Sequence, residues 1–450
     1  MGVRARGGAR SGNLGTGRPG GLGDLLAGLI GDRLQLRVRT WDGSSLGPAD
    51  APATIVVRSR AALVRALQRP GQLGLARAFV VGDLDVEGDL IEALELASSL
   101  EGVVPSAAQW AALARIAGPG LAVPRRAPAE EVRLRGRVHS RGRDRRAVTH
   151  HYDVSDGLYR MILGPSMTYS CALWRFPSDS LEAAQEAKHA LVAAKLGLRE
   201  GTRLLDVGCG WGAMLEHAAT RCGARGVGVT LSEPQQRWAS KRMADAGADM
   251  EVRVEDYREV ADGPYDAISS IGMSEHVGEA NLAGYFGKLF GLLRPGGRLL
   301  NHAISSLPAL RRRARWPTPV PAVRSLLGRA EPNRSAFAPD SFVARYIFPD
   351  GELVEVGAVV SAMQRAGLEV RHVESLREHY GLTLRRWLAN LEESWSAAVG
   401  EVGERRCRAW RLYLAGAAWG FETGRIGVHQ VLAVRPDGGA SGMPLRARFD

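Results

Sequence analysis

Asp206, Glu275, His276 and His302 are acids and imidazoles that fall at or just past the ends of apolar runs, where a strand would give way to a loop. A carboxylate or imidazole in such a place could bind a cation, hold a hydroxyl or move a proton. Asp206 opens the most patterned stretch, Asp206-Val207-Gly208-Cys209-Gly210-Trp211-Gly212, of the form D-x-G-x-G-x-G. Its glycines let the backbone approach a ligand closely and adopt turns that a Cβ forbids. The acid could orient that loop or meet an ammonium or hydroxyl group of a ligand. No Lys-Ser or Lys-Thr pair follows, which argues against a phosphate-cradling P-loop. The bland alternative is an ordinary Gly-rich turn between a strand and a helix. A lone histidine at a strand end is more often structural, but Glu275, His276 and His302 at adjacent strand ends point to a site. Zinc would want a Cys–His set of recognisable spacing, and no third ligand is evident.

The elements that must position these groups follow from periodicity. Residues 203–207 read as a strand and 213–222 as a helix, one arm of a dinucleotide-type α/β unit. Further strands are expected at 225–230, 250–254, 265–271 and 298–304, with helices at 233–246 and 282–293 and a turn at 294–297. Strands alternating with helices of this length imply a parallel sheet covered on both faces. Ligands of such a sheet sit at the carboxyl ends of its strands. Those ends carry Asp206 to Gly212, Thr230-Leu231-Ser232-Glu233-Pro234-Gln235, Glu255-Asp256-Tyr257, Gly272 to Gly278, and Asn301-His302-Ala303-Ile304. A helix at 181–196 precedes the unit. Helices at 352–366, across 382–398 and at 405–421, with strands at 369–376 and 428–434, follow it. Upstream, strands at 34–39 and 53–57 and helices at 60–68 and 89–96 make a small α+β module. The division expected is a disordered basic tail (1–21), an N-terminal domain (22–117), a basic linker (118–149) and a catalytic domain (150–450). A long basic segment at 305–345, with Arg311-Arg312-Arg313, reads as a lid or insertion.

The Gly-rich stretch resembles motif I of class I S-adenosylmethionine (SAM) methyltransferases. Tyr169-Ser170-Cys171-Ala172, Leu205 to Gly212, Gly228 to Ser232, Ser270 to Met273 with Glu275 to Gly278, and Tyr346 to Gly351 together resemble the cyclopropane fatty acid synthase and mycolic acid cyclopropane synthase family. The resemblance runs from about residue 150 to the C-terminus, with the motifs in order. The N-terminal module resembles, more loosely, the extra domain of the fatty-acyl-phospholipid synthases. The resemblance implies a Rossmann-like class I SAM methyltransferase fold, with a mostly parallel seven-stranded sheet and helices on both faces, preceded by the small α+β domain. It places Tyr169, Ser170, Asp206, Gly208, Gly210, Thr230, Leu231 and Gln235 at SAM, with Asp256 and Tyr257 at its adenine. It further implies a bicarbonate ion held by Cys171, Glu275, His302, the backbone of Ile304 and Tyr380. Two departures stand out: Ser274 replaces the usual Phe before Glu-His, and the 305–345 segment is long.

The implied activity is methyl transfer from SAM to the cis double bond of an unsaturated acyl chain in a phospholipid. The resulting carbocation is deprotonated by bound bicarbonate and closes to a cyclopropane. If it shifts and loses a proton elsewhere, a methylene-branched chain results and a separate reductase is implied. Net charge is +11 and pI about 9.9 over 450 residues, which attracts anionic bilayers or nucleic acid. A nucleic-acid methyltransferase is the competing class, but no aromatic residues interleave the arginine runs as base-stacking platforms would require. A lipid-binding protein without activity is the third. The four widely spaced cysteines form neither a disulfide framework nor a zinc pattern and suit a reducing cytoplasm. No apolar run approaches the roughly 20 residues of a spanning helix. The expected location is therefore cytoplasmic, at the inner face of the membrane. Phospholipid acyl chains are the expected partner and nucleic acid is not; a homodimer is left open.

Overall fold

The computed structural model describes residues 21–31, 34–99, 105–132, 134, 138–152, 154–307, 338 and 341–449. The chain divides into two compact units between Ala129 and Glu130.

In the first unit, β1 (Arg37–Thr40), β2 (Ser45–Leu46), β3 (Ala53–Val57) and β4 (Leu84–Gly88) form a sheet in the order β2-β1-β3-β4. β1 lies parallel to β3, while β1–β2 and β3–β4 are antiparallel. Leu36 just ahead of β1, Ala53 of β3 and Ala93 of the helix Leu90–Ser98 pack as a small core. Helix Arg60–Gln68 begins where the Ser59 side chain accepts the Ala61 N–H, and Leu90–Ser98 begins where Asp89 accepts from Ile91 and Glu92. Each cap satisfies N–H groups that the helix cannot.

The second unit is built on β5 (Arg203–Val207), β6 (Arg225–Thr230), β7 (Met250–Val254), β8 (Tyr265–Ile271), β9 (Leu293–Ser306), β10 (Glu369–Ser375) and β11 (Ile426–Val434). The sheet order is β10-β11-β9-β8-β5-β6-β7. The pairs from β7 through β9 are parallel, and β11 runs antiparallel between β9 and β10. Leu205 and Val207 join a core with Phe286, Leu289 and Met363. Leu204, one residue out of phase, joins the other core with Val192, Leu215 and Met243. Both faces of the central strand are thus covered, which is why it reads as a continuous apolar run. Strand order departs in both directions from β5, and the crevice at such a switch point is where this architecture binds ligands.

Strands β3 and β5 to β8 and the helices Arg60–Gln68, Leu181–Leu196 and Ala213–Cys222 fall where sequence periodicity puts them. Other elements differ. Residues 294–297, expected as a turn, lie within β9, where the β8–β9 register shifts between Tyr265 and Ala267. The pairing of β9 with β11 continues through Arg298↔Val434, so the Pro-Gly-Gly signal bends a strand rather than ending it. The helix expected at 382–398 is two, Arg377–Glu393 and Trp395–Val402. Helix Arg141–Tyr152 begins within the segment read as a linker (118–149) and runs past its expected end. Helices Leu22–Ile30, Gln72–Val80, Ala107–Ala117 and Asp156–Leu163 were not expected. Residues 1–20 of the expected tail, and most of the 305–345 segment including Arg311 to Arg313, lie outside the described residues.

Candidate functional site

The turn after β5 is shaped by backbone that only glycine tolerates well. Gly208, Gly210 and Gly212 have φ of +77°, +54° and +82°. A Cβ on Gly208 would lie 2.4 Å from the Met273 sulfur, and one on Gly212 would lie 3.0 Å from the Ala239 Cβ. The Gly208 and Cys209 N–H groups donate to the Val229 carbonyl at 2.9 and 3.1 Å, which fastens the loop across the end of β6. Over this loop opens a cavity of about 520 Å³. All ten residues expected at the cofactor line it: Tyr169 and Ser170 ahead of the sheet, Asp206, Gly208 and Gly210 after β5, Thr230, Leu231 and Gln235 after β6, and Asp256 and Tyr257 after β7.

Each of these groups is held. The Ser269 hydroxyl donates to Asp206 Oδ1 at 2.5 Å. Burial pushes the Asp206 carboxyl up to about 6, against the pull of that hydroxyl and of the Lys188 ammonium. Thr230 Oγ1 donates to Gln235 Oε1 at 2.8 Å and accepts from the Ser232 N–H at 3.2 Å. Asp256 Oδ1 accepts from the Arg258 backbone at 3.0 Å and from its Nε at 2.9 Å, while Arg258 reaches Asp144 at 2.6 Å. The Tyr257 ring stands edge-on to Tyr285 at 4.8 Å. Tyr169 donates to the Tyr413 hydroxyl at 3.2 Å.

Lys188 was missed by sequence reasoning. It lines the cavity, is 1% exposed, and donates from Nζ to Ser170 Oγ at 3.0 Å. Burial pushes its ammonium down to about 7, against the attraction of Cys171 and Asp206. The signal was available: Leu181, Ala184, Lys188 and Val192 make one buried stripe at helical spacing, with a lysine in an apolar place.

The five residues expected to handle the reaction lie apart from the cavity lining and are tied to one another. Glu275, on the short helix Ser274–Val277, accepts the Ile304 N–H on Oε1 at 2.7 Å. The Ile304 amide, expected to face an anion, is thus committed to Glu275 in this state. Burial pushes the Glu275 carboxyl up to about 7, against that N–H, and its Oε2 is buried without a hydrogen-bond partner. His302, two residues before Ile304 on β9, is buried and pushed down to about 3 by burial, so its imidazole is neutral. The Cys171 thiol lies 3.6 Å from the Leu376 carbonyl, which also accepts the Tyr380 N–H at 3.1 Å. Burial holds that thiol protonated. The Leu376 N–H donates to Val428, which pairs with Ile304 across β9 and β11. Tyr380 packs on Phe421 and Trp387, and Trp387 meets Tyr169 at the cavity wall.

The tautomer of His302 is set by two residues that sequence reasoning also missed. Lys195 Nζ, with only protons to offer, donates to Gln430 Oε1 at 2.7 Å. That orients the amide so that Gln430 Nε2 donates to His302 Nδ1 at 3.1 Å. Nδ1 must then accept, and the single ring proton sits on Nε2. Nε2 is buried without a partner among the described residues. Burial lowers the pKa of the Lys195 ammonium, and its ion pair with Glu374 opposes that shift.

His276, expected beside Glu275 and His302, instead lines the large cavity. Ser274 joins a buried polar network, donating to Asn301 Oδ1 at 2.8 Å, so its replacement of the usual Phe supports the helix carrying Glu275. Among the described residues, Glu186, His189 and His217 bring ligand-type atoms within 4.8 Å of one another. That carboxylate is already shared by Arg221 at 3.3 Å and His217 at 3.4 Å, so the group is a hydrogen-bonded cluster rather than a prepared metal centre.

A family model described as mycolic acid cyclopropane synthetase matches residues 139–431. A "probable fatty acid methyltransferase" of Mycobacterium tuberculosis is 42% identical over 425 residues, covering 91% of this chain and 94% of the relative. A tuberculostearic acid methyltransferase of the same organism is 33% identical over 417 residues, covering 89% and 88%. The cyclopropane-fatty-acyl-phospholipid synthase of Escherichia coli is 30% identical over 386 residues, covering 86% and 88%. Among solved structures, mycolic acid cyclopropane synthase CmaA1 complexed with SAH and CTAB superposes with a TM-score of 0.57 at 33% identity. That match covers 64% of this chain and 97% of the other.

Proposed function

The chain belongs to the mycolic acid cyclopropane synthetase family of SAM-dependent methyltransferases, and we propose that it methylates the cis double bond of an unsaturated phospholipid acyl chain to form a cyclopropane. The observation that carries this reading is that two of the side chains implied for the anion, Glu275 and His302, each keep a buried polar atom without a hydrogen-bond partner, Oε2 of the first and Nε2 of the second. Burying two such groups is costly unless a polar ligand completes them. One atom is a proton donor and the other an acceptor, which suits a small anion that carries its own hydroxyl. The residues therefore fit bicarbonate, which Glu275, His302 and Tyr380 would hold beside Cys171. When bound there, bicarbonate supplies a base matched to a carbocation's proton. The cofactor supplies an electrophilic methyl group on sulfur.

The chain's own residues do the rest. An alkene is a weak nucleophile, so its attack depends on being held in line in a dry slot. The rings of Tyr169, Trp387, Phe348 and Tyr413 pack on one another between the cavity and Tyr380, an apolar wall suited to keeping water out. His302 donates from Nε2 without becoming charged. Glu275, ionising near neutral pH, accepts a hydroxyl proton. The cysteine, held protonated, is a neighbour and not a nucleophile.

The test is lipid mass spectrometry after expressing the chain in a host that makes cis-unsaturated phospholipids, with methyl-deuterated methionine. The expected product gains one CH2 unit, retains two of the three deuteriums, and resists hydrogenation. The same gain with a reducible double bond would mean methylene branching, the reading favoured by the tuberculostearic acid methyltransferase relative. A reductase partner would then be sought. Absence of labelled lipid from cells holding soluble, SAM-binding protein would sink both and redirect the search to nucleic acid.

A further inference from the structure

The first unit carries a cavity of its own, of about 280 Å³, lined by Arg65, Arg69, Arg77 and Arg125 with Gln68, Leu121 and Pro124. Among the described residues its lining contains no carboxylate. The arrangement is built rather than incidental. Arg65 lies on helix Arg60–Gln68 and Arg77 on the next helix, Gln72–Val80, so the two helices face their guanidinium groups into one space. Gln68 closes the rim: its Nε2 donates to the carbonyls of Leu121 at 3.1 Å and Val123 at 2.7 Å, and its Oε1 accepts the Arg125 N–H at 3.0 Å. That clamp pins Arg125 over the helix end. Arg65 Nε is fixed to Asp83 at 3.0 Å, while its Nη1 is buried without a partner.

Arginine stays charged at any working pH and offers five N–H donors in a planar fork, so a guanidinium paired on one edge still recognises an oxyanion on another. Four such forks around one concavity match a tetrahedral oxyanion with several acceptor oxygens. We propose that this cavity binds a phosphate group, and that its source is the phosphodiester headgroup of a membrane phospholipid. This rests on the phospholipid reading above. Leu121 and Pro124 give one wall an apolar surface against which a glycerol carbon could lie.

The test uses the full-length protein and reads binding, not turnover. Three probes are titrated: glycerophosphoglycerol, inorganic phosphate, and phosphatidylcholine vesicles containing phosphatidylglycerol. Each is measured on the wild type, on Arg69→Gln/Arg125→Gln, on Arg125→Gln alone, and on a charge-matched control, Arg221→Gln/Arg237→Gln. Arg69 and Arg125 are exposed, so these variants should keep the wild-type melting temperature. The expected result is a loss of about tenfold or more in affinity for glycerophosphoglycerol and for the vesicles in the double variant. The single variant should fall between, and the control should lose far less. Equal losses in pocket and control variants would overturn the site. Pocket-dependent binding of inorganic phosphate without binding of the phosphodiester would overturn the headgroup as its source. Because no methyl transfer is read, failure here leaves the reaction proposal standing, and failure of that proposal leaves this result readable.

Discussion

Two buried residues decide what the candidate site does at a given pH. Lys188 helps hold the Asp206 carboxyl near 6 instead of higher, and is itself pushed to about 7 by burial. Replacing it with methionine removes a cation beside an acid, which disfavours the carboxylate and raises its pKa. With the ionised carboxylate proposed to face the cationic cofactor, SAM affinity should rise as pH passes through about 6 in the wild type. In Lys188→Met the same rise should move to higher pH, and the two proteins should converge well above pH 7, where Lys188 is neutral in any case. SAM titrations between pH 5 and 8.5 (a range set by the values above) would show this. A limb that stays put would remove Lys188 from the account.

His302 is a residue whose usefulness depends on which nitrogen holds one proton. Gln430→Glu keeps the size and the bond to Lys195 but can only accept from the imidazole. Nδ1 must then carry the proton, and Nε2 loses its own. Turnover should fall on the order of 100-fold, in the range of a lost proton-handling group, while SAM affinity is unchanged. Nitrogen NMR of labelled histidine should show the tautomer switch. Unchanged turnover despite a switched tautomer would mean that the Nε2 proton is not used. Glu275→Gln complements it, since an amide of the same shape cannot ionise. Its turnover should also fall on the order of 100-fold, and the rise of activity through about pH 7 that Glu275 ionisation predicts in the wild type should disappear.

At the level of elements, the Gly-rich turn is where backbone and ligand compete for one space. Gly208→Ala puts a Cβ at φ +77° and against the Met273 sulfur. The backbone strain costs about 1–3 kcal/mol, and the contact adds to it. Adding Met273→Ala relieves only the contact, so the double variant should recover part of the lost melting temperature and little of the lost SAM affinity. Complete recovery would show that the turn itself is not strained. This turn, β5 and the strand ends that line the cavity were legible in the sequence, because each depends on residues near one another in the chain. The linkage of Glu275 to Ile304, of Cys171 to Leu376 and of Gln430 to His302 was not, because it follows from sheet register and from segments up to 205 residues apart. The resemblance to a family implied four side chains and one backbone group for the anion, but not the Gln430 and Lys195 that orient His302. The bend within β9 was hidden for the opposite reason: Pro-Gly-Gly is a strong local turn signal, overridden here by pairing on both sides.

The whole molecule carries a net charge of +11, and among the described residues no helix is long and apolar enough to cross a membrane. If the substrate is a membrane phospholipid, attachment must come from charge at long range and from specific contacts at short range. The two respond differently to salt. Screening cuts the Debye length from about 10 Å at 0.1 M to about 3 Å at 1 M, which suppresses the diffuse attraction while leaving desolvated contacts largely intact. Near-surface cations contribute on the order of 1 kcal/mol each at low salt. Cosedimentation with phosphatidylglycerol vesicles should therefore fall steeply as salt rises, but not to the level seen with phosphatidylcholine alone. The residual preference at high salt should belong to the arginine cavity of the first unit and vanish in Arg69→Gln/Arg125→Gln. The control pair Arg221→Gln/Arg237→Gln should lower the low-salt binding and leave that residue of preference in place. A preference that salt abolishes entirely in the wild type would mean that charge alone holds the protein to the bilayer, with no headgroup contact of its own.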